Sequence, residues 1–467
     1  MIFTSPEFIY LFFPFVFLLY YILNYYKKFF LSKYFLVIAS IYFYAYGSLD
    51  FTPFFILSIT LNYLIGRYIS STHDIKYKIR YRKFFLFSGI FLNLSLLGYY
   101  KYTNFFLENI NFFSSTQKSL VDLILPIGIS FFTFQLLAYL IDSYEGKTKD
   151  YKFLDYLLFI TFFPQLIVGP IVHHSEVVDQ FESEDKKKLD YNNLSLGIFL
   201  FFMGAAKKLI LADSLTDASQ EGFNHFADIS FYDSWICALG YTVSYYFDLS
   251  GYSDMAVGLG LFFNIKIPGN FDSPYKASNF ADYWRRWHIT LSRFLGDYIF
   301  RSMFSKGDSS IKFYFAVMVT FFISGFWHGA GYNFIVWGIL NGILVCISHY
   351  LIRSQINLPY LISWSVTFIF VILARVIFVS ADLNSAYIYY QKMFIPTNLN
   401  IFELTFFSNW NLIFLILGII ICLFFPNSNI ISEKYKYNKT YLFYTILLIL
   451  LVLANIGTPH RFLYFQF

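Results

Sequence analysis

The sequence predicts an all-α polytopic membrane protein, and three observations carry that prediction. Hydrophobic residues make up 57% of the chain and charged residues only 13%, about half the charged share of an ordinary soluble domain. Apolar runs of about 18 residues recur along nearly the whole length, each long enough to cross a hydrocarbon core about 30 Å thick. The polar outer faces that a soluble helical bundle requires are missing between them. The chain reads as one integral-membrane domain over residues 1–467.

The apolar runs lie near 8–26, 34–50, 53–70, 84–104, 119–141, 153–172, 194–213, 230–264, 311–330, 332–352, 360–380, 411–426 and 441–457. Those near 119–141 and 153–172 contain Pro and Gly and read as re-entrant, so about eleven true crossings are expected. The first run is preceded by Pro6 and Glu7 where a leader would be basic, so it reads as a retained span. Lys27, Lys28 and Lys33, then Arg67, Lys76, Lys78, Arg80, Arg82 and Lys83, flank alternate loops, while the intervening loop holds Asp50 and no base. That alternation places the N-terminus outside and makes these residues topological determinants facing lipid headgroups, not nucleic-acid contacts. The polar stretches 71–82, 174–193 and 427–439 are too short to bury a core of their own. Cys237, Cys346 and Cys422 sit singly in apolar runs and read as core residues, so neither a disulfide framework nor a metal site is expected.

Residues 279–301 differ from the spans. Phe280, Trp284, Trp287, Leu291, Phe294 and Tyr298 recur at helical steps, with Asp282, Arg286, Arg293 and Asp297 on another face. The pattern predicts one amphipathic helix at the membrane interface or beside a polar cavity. It carries His288 between Trp287 and Ile289. A second histidine, His328, ends the apolar run 312–330, and an ionisable ring at such a position is a functional-site candidate. An imidazole kept uncharged can take the proton of a hydroxyl as that oxygen attacks an acyl carbon. Gly325, Gly329, Ala330 and Gly331 would let a substrate chain approach the ring. His328 is therefore the candidate base and His288 a supporting group. Arg285 and Arg286 offer guanidinium forks for donor phosphates, with Trp284 and Trp287 as flat apolar faces. A hydrogen-bonded core histidine and an interfacial anchor helix are the bland readings of the same residues. Asp248 and Asp254 are expected to pair with the arginines of 285–301, and Arg375 with Asp382.

Five separated motifs occur together. They are 126–135 (PIGISFFTFQ), 163–171 (FPQLIVGPI), 247–258, 284–292 (WRRWHITLS) and 326–338 (FWHGAGYNFIVWG), followed by the terminal Tyr464-Phe465-Gln466-Phe467. In this the chain resembles the membrane-bound O-acyltransferase family, over about residues 40–467, and within it the bacterial branch that acetylates alginate or peptidoglycan. The resemblance implies a funnel of transmembrane helices in a bacterial cytoplasmic (inner) membrane. His328 matches the family's catalytic histidine and His288 its second one. It further implies an acetyl group drawn from a cytosolic thioester, acetyl-CoA, with no resident cofactor. The group would pass to a cell-surface glycan directly or through an extracytoplasmic partner acetyltransferase. Residues 299–307 and 375–382 depart from the family's pattern. Phe-Pro-Gln at 163–165 separates the chain from the related D-alanyl transferases of teichoic acid. Heavy use of Phe and Tyr, 63 and 41 residues, suits an AT-rich genome and favours peptidoglycan or another surface glycan over alginate. Two other classes stay open from sequence: a transporter of donor or glycan that uses the histidines as a proton relay, and a scaffold that recruits a separate transferase.

Overall fold

The computed structural model describes residues 1–72, 79–114, 118–148, 150–396 and 404–457. Among them every regular element is helical. Six helices are long and apolar enough to cross a membrane: Phe8–Tyr25, Ile79–Phe113, Tyr191–Asn224, Ser310–His328, Tyr332–Arg353 and Tyr360–Val379. The bent pair Asn409–Phe424 and Ser428–Lys434 makes a seventh if it is one broken span. The described residues thus support at least six crossings, where hydropathy alone suggested about eleven. Lys76, Lys78 and the terminal Tyr464–Phe467 motif lie outside the described residues.

The two apolar runs that carry Pro and Gly are helical over only part of their length. The run 153–172 forms the helix Phe153–Thr161 and a four-residue turn, Phe163–Leu166. Nine residues rise only about 14 Å, less than half of a hydrocarbon core. The run 119–141 becomes helical only at Ile129. Phe29–Ala45 and Lys439–Asn455 are shorter apolar helices of 17 residues each.

The chain divides into two compact units, Met1–Phe201 with Met255–Pro268, and Phe202–Asp254 with Gly269–Phe467. In the first, Phe8, Phe12, Phe43 and Phe163 pack ring against ring, with the Phe12 and Phe163 centres 5.4 Å apart at a steep angle. Pro164 opens a helical turn where no N–H is needed. The broken backbone is satisfied internally: the Phe163 N–H donates to Ser40 Oγ and Gln165 Nε2 donates to the Phe159 carbonyl. Gly128 adopts a left-handed backbone, φ 73°, and any Cβ there would lie 3.2 Å from the Leu166 carbonyl oxygen. Two of the sequence motifs thus meet at Gly128 and Leu166.

In the second unit the helices Ser310–His328 and Tyr332–Arg353 form a tight hairpin. A Cβ on Gly325 would stand 2.3 Å from the Phe334 carbonyl, and one on Gly338 would stand 2.5 Å from that of Phe321. Small residues permit this backbone approach where lipid gives helices no hydrophobic reason to associate. A wide π-helical stretch, Lys207–Ala212, places two lysines among the acids of the unit. Lys208 Nζ lies 2.6 Å from both Asp213 and Asp248, all three buried. Lys207 Nζ lies 2.6 Å from Asp254, which also accepts from Ser428 Oγ. This corrects the expectation that Asp248 and Asp254 answer the arginines of 285–301: Lys208 and Lys207, on an earlier helix of the same unit, do so instead. Removing the charge at Lys208 while keeping both carboxylates leaves uncompensated buried charge. Lys208→Met should therefore destabilise the fold by about 3–5 kcal/mol, read as a lowered melting temperature in detergent, and Asp248→Asn in the same chain should recover part of the loss.

Candidate active site

The predicted single helix over 279–301 is broken. Asn279 starts it, its side chain accepting the Asp282 N–H, and the helix Phe280–Arg286 follows. Trp287 is then extended and His288 left-handed, φ 45° and ψ 54°, before a second helix, Ile289–Leu295. The freed backbone groups find partners in the segment before it. Ile289 N–H donates to the Asn270 carbonyl, Asp272 N–H to the Arg286 carbonyl, and Thr290 N–H and Oγ1 both to Asn270 Oδ1. Because Asn270 supplies these bonds, the break costs little hydrogen bonding. The apolar stripe survives it: Phe280, Trp284, Trp287, Leu291 and Phe294 are all buried.

His288 is buried beside Phe271, ring centres 6.1 Å apart. It lies outside the membrane-crossing helices, and burial pushes its imidazole down to about 4. His328 ends its span, also buried, with ring centres 4.9, 5.1 and 5.4 Å from Trp327, Trp337 and Phe378. Trp337 and Phe378 in turn connect it to a larger aromatic cluster. Phe378 packs on Tyr245, Tyr245 stacks on Trp287, and Trp287 meets Phe271 edge to face at 5.1 Å. Both histidines thus sit at the margins of one aromatic cluster. The glycines around His328 are used by the protein itself, since a Cβ at Gly329 would fall 2.1 Å from the Phe334 ring and one at Gly331 2.4 Å from Asn333 Oδ1.

The four residues proposed for donor contact separate into two kinds. Trp284 and Trp287 are buried and line a small cavity with Tyr283, Trp337, Asn341 and Arg375. Arg285 is exposed and bonds the Ala281 carbonyl through Nε. Arg286 is held by Asp282 at 3.0 Å and Asp272 at 3.8 Å. The tryptophans are in the cluster; the guanidinium forks are not. Arg375 also departs from expectation. Asp382 caps the helix Leu383–Phe394 through Ser385, and Arg375 instead lies over the Tyr245 ring at 4.1 Å.

Sequence reading passed over a second polar group, in the first unit. Asp142 Oδ2 lies 2.9 Å from His174 Nε2 and 3.5 Å from His173 Nδ1, and His174 Nδ1 meets the Tyr151 hydroxyl at 2.8 Å. Three ligand atoms within 4.8 Å of one another have the chemistry to hold a metal ion. The adjacent histidines after Gly169-Pro170 and an acid inside an apolar helix were the available signals.

The chain belongs to the membrane-bound O-acyltransferase family, whose sequence profile matches residues 36–379. It is thus an acyltransferase of a membrane-bound class, and both histidines fall inside the matched region. It is 42% identical over 416 residues to the peptidoglycan O-acetyltransferase of Helicobacter pylori, covering 83% of this chain and 78% of that one. To the probable alginate O-acetylase of Pseudomonas aeruginosa it is 34% identical over 400 residues, 84% and 75% of the two chains. The teichoic acid D-alanyltransferase of Bacillus subtilis matches more narrowly, 30% over 232 residues, which is 48% of this chain and 59% of that one.

The depressed His288 has a consequence for stability. Its unfolded form titrates near 6.5 and its folded form near 4, so below pH 6.5 the unfolded chain binds the extra proton. Melting temperature in detergent should fall as pH drops from 6.5 towards 4, with a slope of up to about 1.4 kcal/mol per pH unit from this group. The slope should shrink in His288→Gln.

Proposed function

We propose that this protein moves an acetyl group from a cytosolic thioester, acetyl-CoA, for O-acetylation of peptidoglycan or a similar cell-surface glycan. It acts in the bacterial cytoplasmic membrane and delivers the group to the glycan itself or to an extracytoplasmic acetyltransferase. The observation that carries this reading is His328 at the end of a membrane helix, buried in aromatic rings within a chain matched over most of its length by O-acetylating relatives.

In this reading the uncharged ring of His328 accepts the proton of an attacking hydroxyl and returns it to the departing thiolate. Trp327, Trp337 and Phe378 keep bulk water from the ring, which protects the thioester from hydrolysis. His288, at the other margin of the cluster, holds the chain reversal that places Trp287 and so acts as a supporting residue. Trp284 and Trp287 offer flat apolar faces to the donor's acyl arm. The narrow match to D-alanyl transferases makes an aminoacyl cargo the weaker alternative.

His328→Ala should lower base-labile acetyl on isolated peptidoglycan by at least about 100-fold while the amount of protein in the membrane stays constant. Wild-type ester content in that variant would remove His328 from the reaction. His288→Ala should lower it less.

A further inference from the structure

Arg375 lies within the span Tyr360–Val379 and is only 5% exposed. Its guanidinium carbon stands 4.1 Å from the centre of the Tyr245 ring and 5.3 Å from those of Trp287 and Phe378. The hydroxyls of Tyr245 and Tyr283 bond to it, and its Nε is left without a hydrogen-bond partner. Six acids of the same unit are committed elsewhere. Asp213 and Asp248 hold Lys208, Asp254 holds Lys207, Asp272 and Asp282 hold Arg286, and Asp382 caps a helix. A fixed cation in a water-poor interior, met by ring faces and two neutral tyrosine hydroxyls and with Nε still free, is a strong receptor for an anion.

The space beside it indicates the size of that anion. Arg375, Tyr283, Trp284, Trp287, Trp337 and Asn341 line a small, partly open cavity with room for about one oxygen-sized occupant. The indole N–H of Trp284 is already given to Asn341 Oδ1, so the guanidinium is the strong donor facing it. Two rings connect this place to the candidate base. Trp337 lines the cavity and Phe378 touches Arg375, and both pack against His328.

We propose that Arg375 holds the acyl carbonyl oxygen as that oxygen takes up negative charge. The proposal rests on the acyl-transfer reading of His328 and adds an electrostatic residue to it. The acceptor hydroxyl oxygen bonds to the carbonyl carbon, its proton passes to His328, and the C=O pair moves onto the oxygen beside Arg375. The pair then returns as the C–S bond breaks, and the thiolate leaves with the proton from His328. A preorganised cation at the developing charge acts mainly on the transition state, so it raises kcat more than donor affinity.

The test uses membranes carrying the full chain, labelled acetyl-CoA and peptidoglycan as acceptor. Arg375→Met should lower kcat about 100- to 1000-fold with the donor KM within about threefold of wild type, and Arg375→Lys should retain part of the rate. An unchanged kcat would overturn the proposal, and so would a raised KM at constant kcat, which is the signature of a ground-state contact to donor phosphate. If Arg375→Met yields too little folded protein, Arg375→Lys decides alone by the same two readouts. His328→Ala separates the two claims: an active His328→Ala defeats the acyl-transfer reading, whereas an inactive one beside a fully active Arg375→Met defeats only the role given to Arg375.

Discussion

The hydrogen bonds between Asn270 and the break at Trp287–His288 are the interaction on which the second unit depends. A non-glycine residue in the left-handed region is held there at a cost, and the backbone groups it releases would be costlier still if buried alone. Asn270 meets both demands with its carbonyl and its side-chain oxygen. With the break fixed, Trp287 turns into the stack with Tyr245 and Tyr283. Arg286 turns the other way, to Asp272 and Asp282. An unbroken helix would have held Arg286 and Trp287 at a fixed angle of about 100° to each other.

Buried cations of the second unit are met in two different ways. Lys207 and Lys208 answer three carboxylates, and the π-helical stretch that carries them lets neighbouring residues reach different acids. Arg375 is surrounded by rings. The contrast between a neutralised cluster and an aromatic-lined cation gives the unit one site built for stability and another suited to a visiting negative charge.

Much of this was legible in the sequence, and the failures share a cause. Composition and run length predicted an all-helical membrane protein, because the bilayer imposes a length and a polarity that a sequence must display. The Phe-Pro-Gln and Pro-Ile-Gly motifs were visible, although their mutual fit at Gly128 and Leu166 was not, since it depends on a contact between distant segments. The Pro and Gly of the run 153–172 marked it as non-spanning, although hydropathy did not give the bounds of the short helix Phe153–Thr161 that results. The periodicity of 279–301 was real, yet period alone does not reveal a break whose lost bonds are replaced from outside the helix. Charge partners were misassigned because proximity in sequence was the only guide: Asp248 answers Lys208, not Arg285 or Arg286.

The glycine contact in the hairpin that ends at His328 has a mechanical meaning. Gly325 and Gly338 bring two backbones to near contact, and only Gly329 to Gly331 connect the helices. With Phe334 pressed on Gly329, the backbone that carries the imidazole is tightly packed. In the reaction proposed for His328, the reacting partners would therefore come to a ring whose anchoring backbone is held in place.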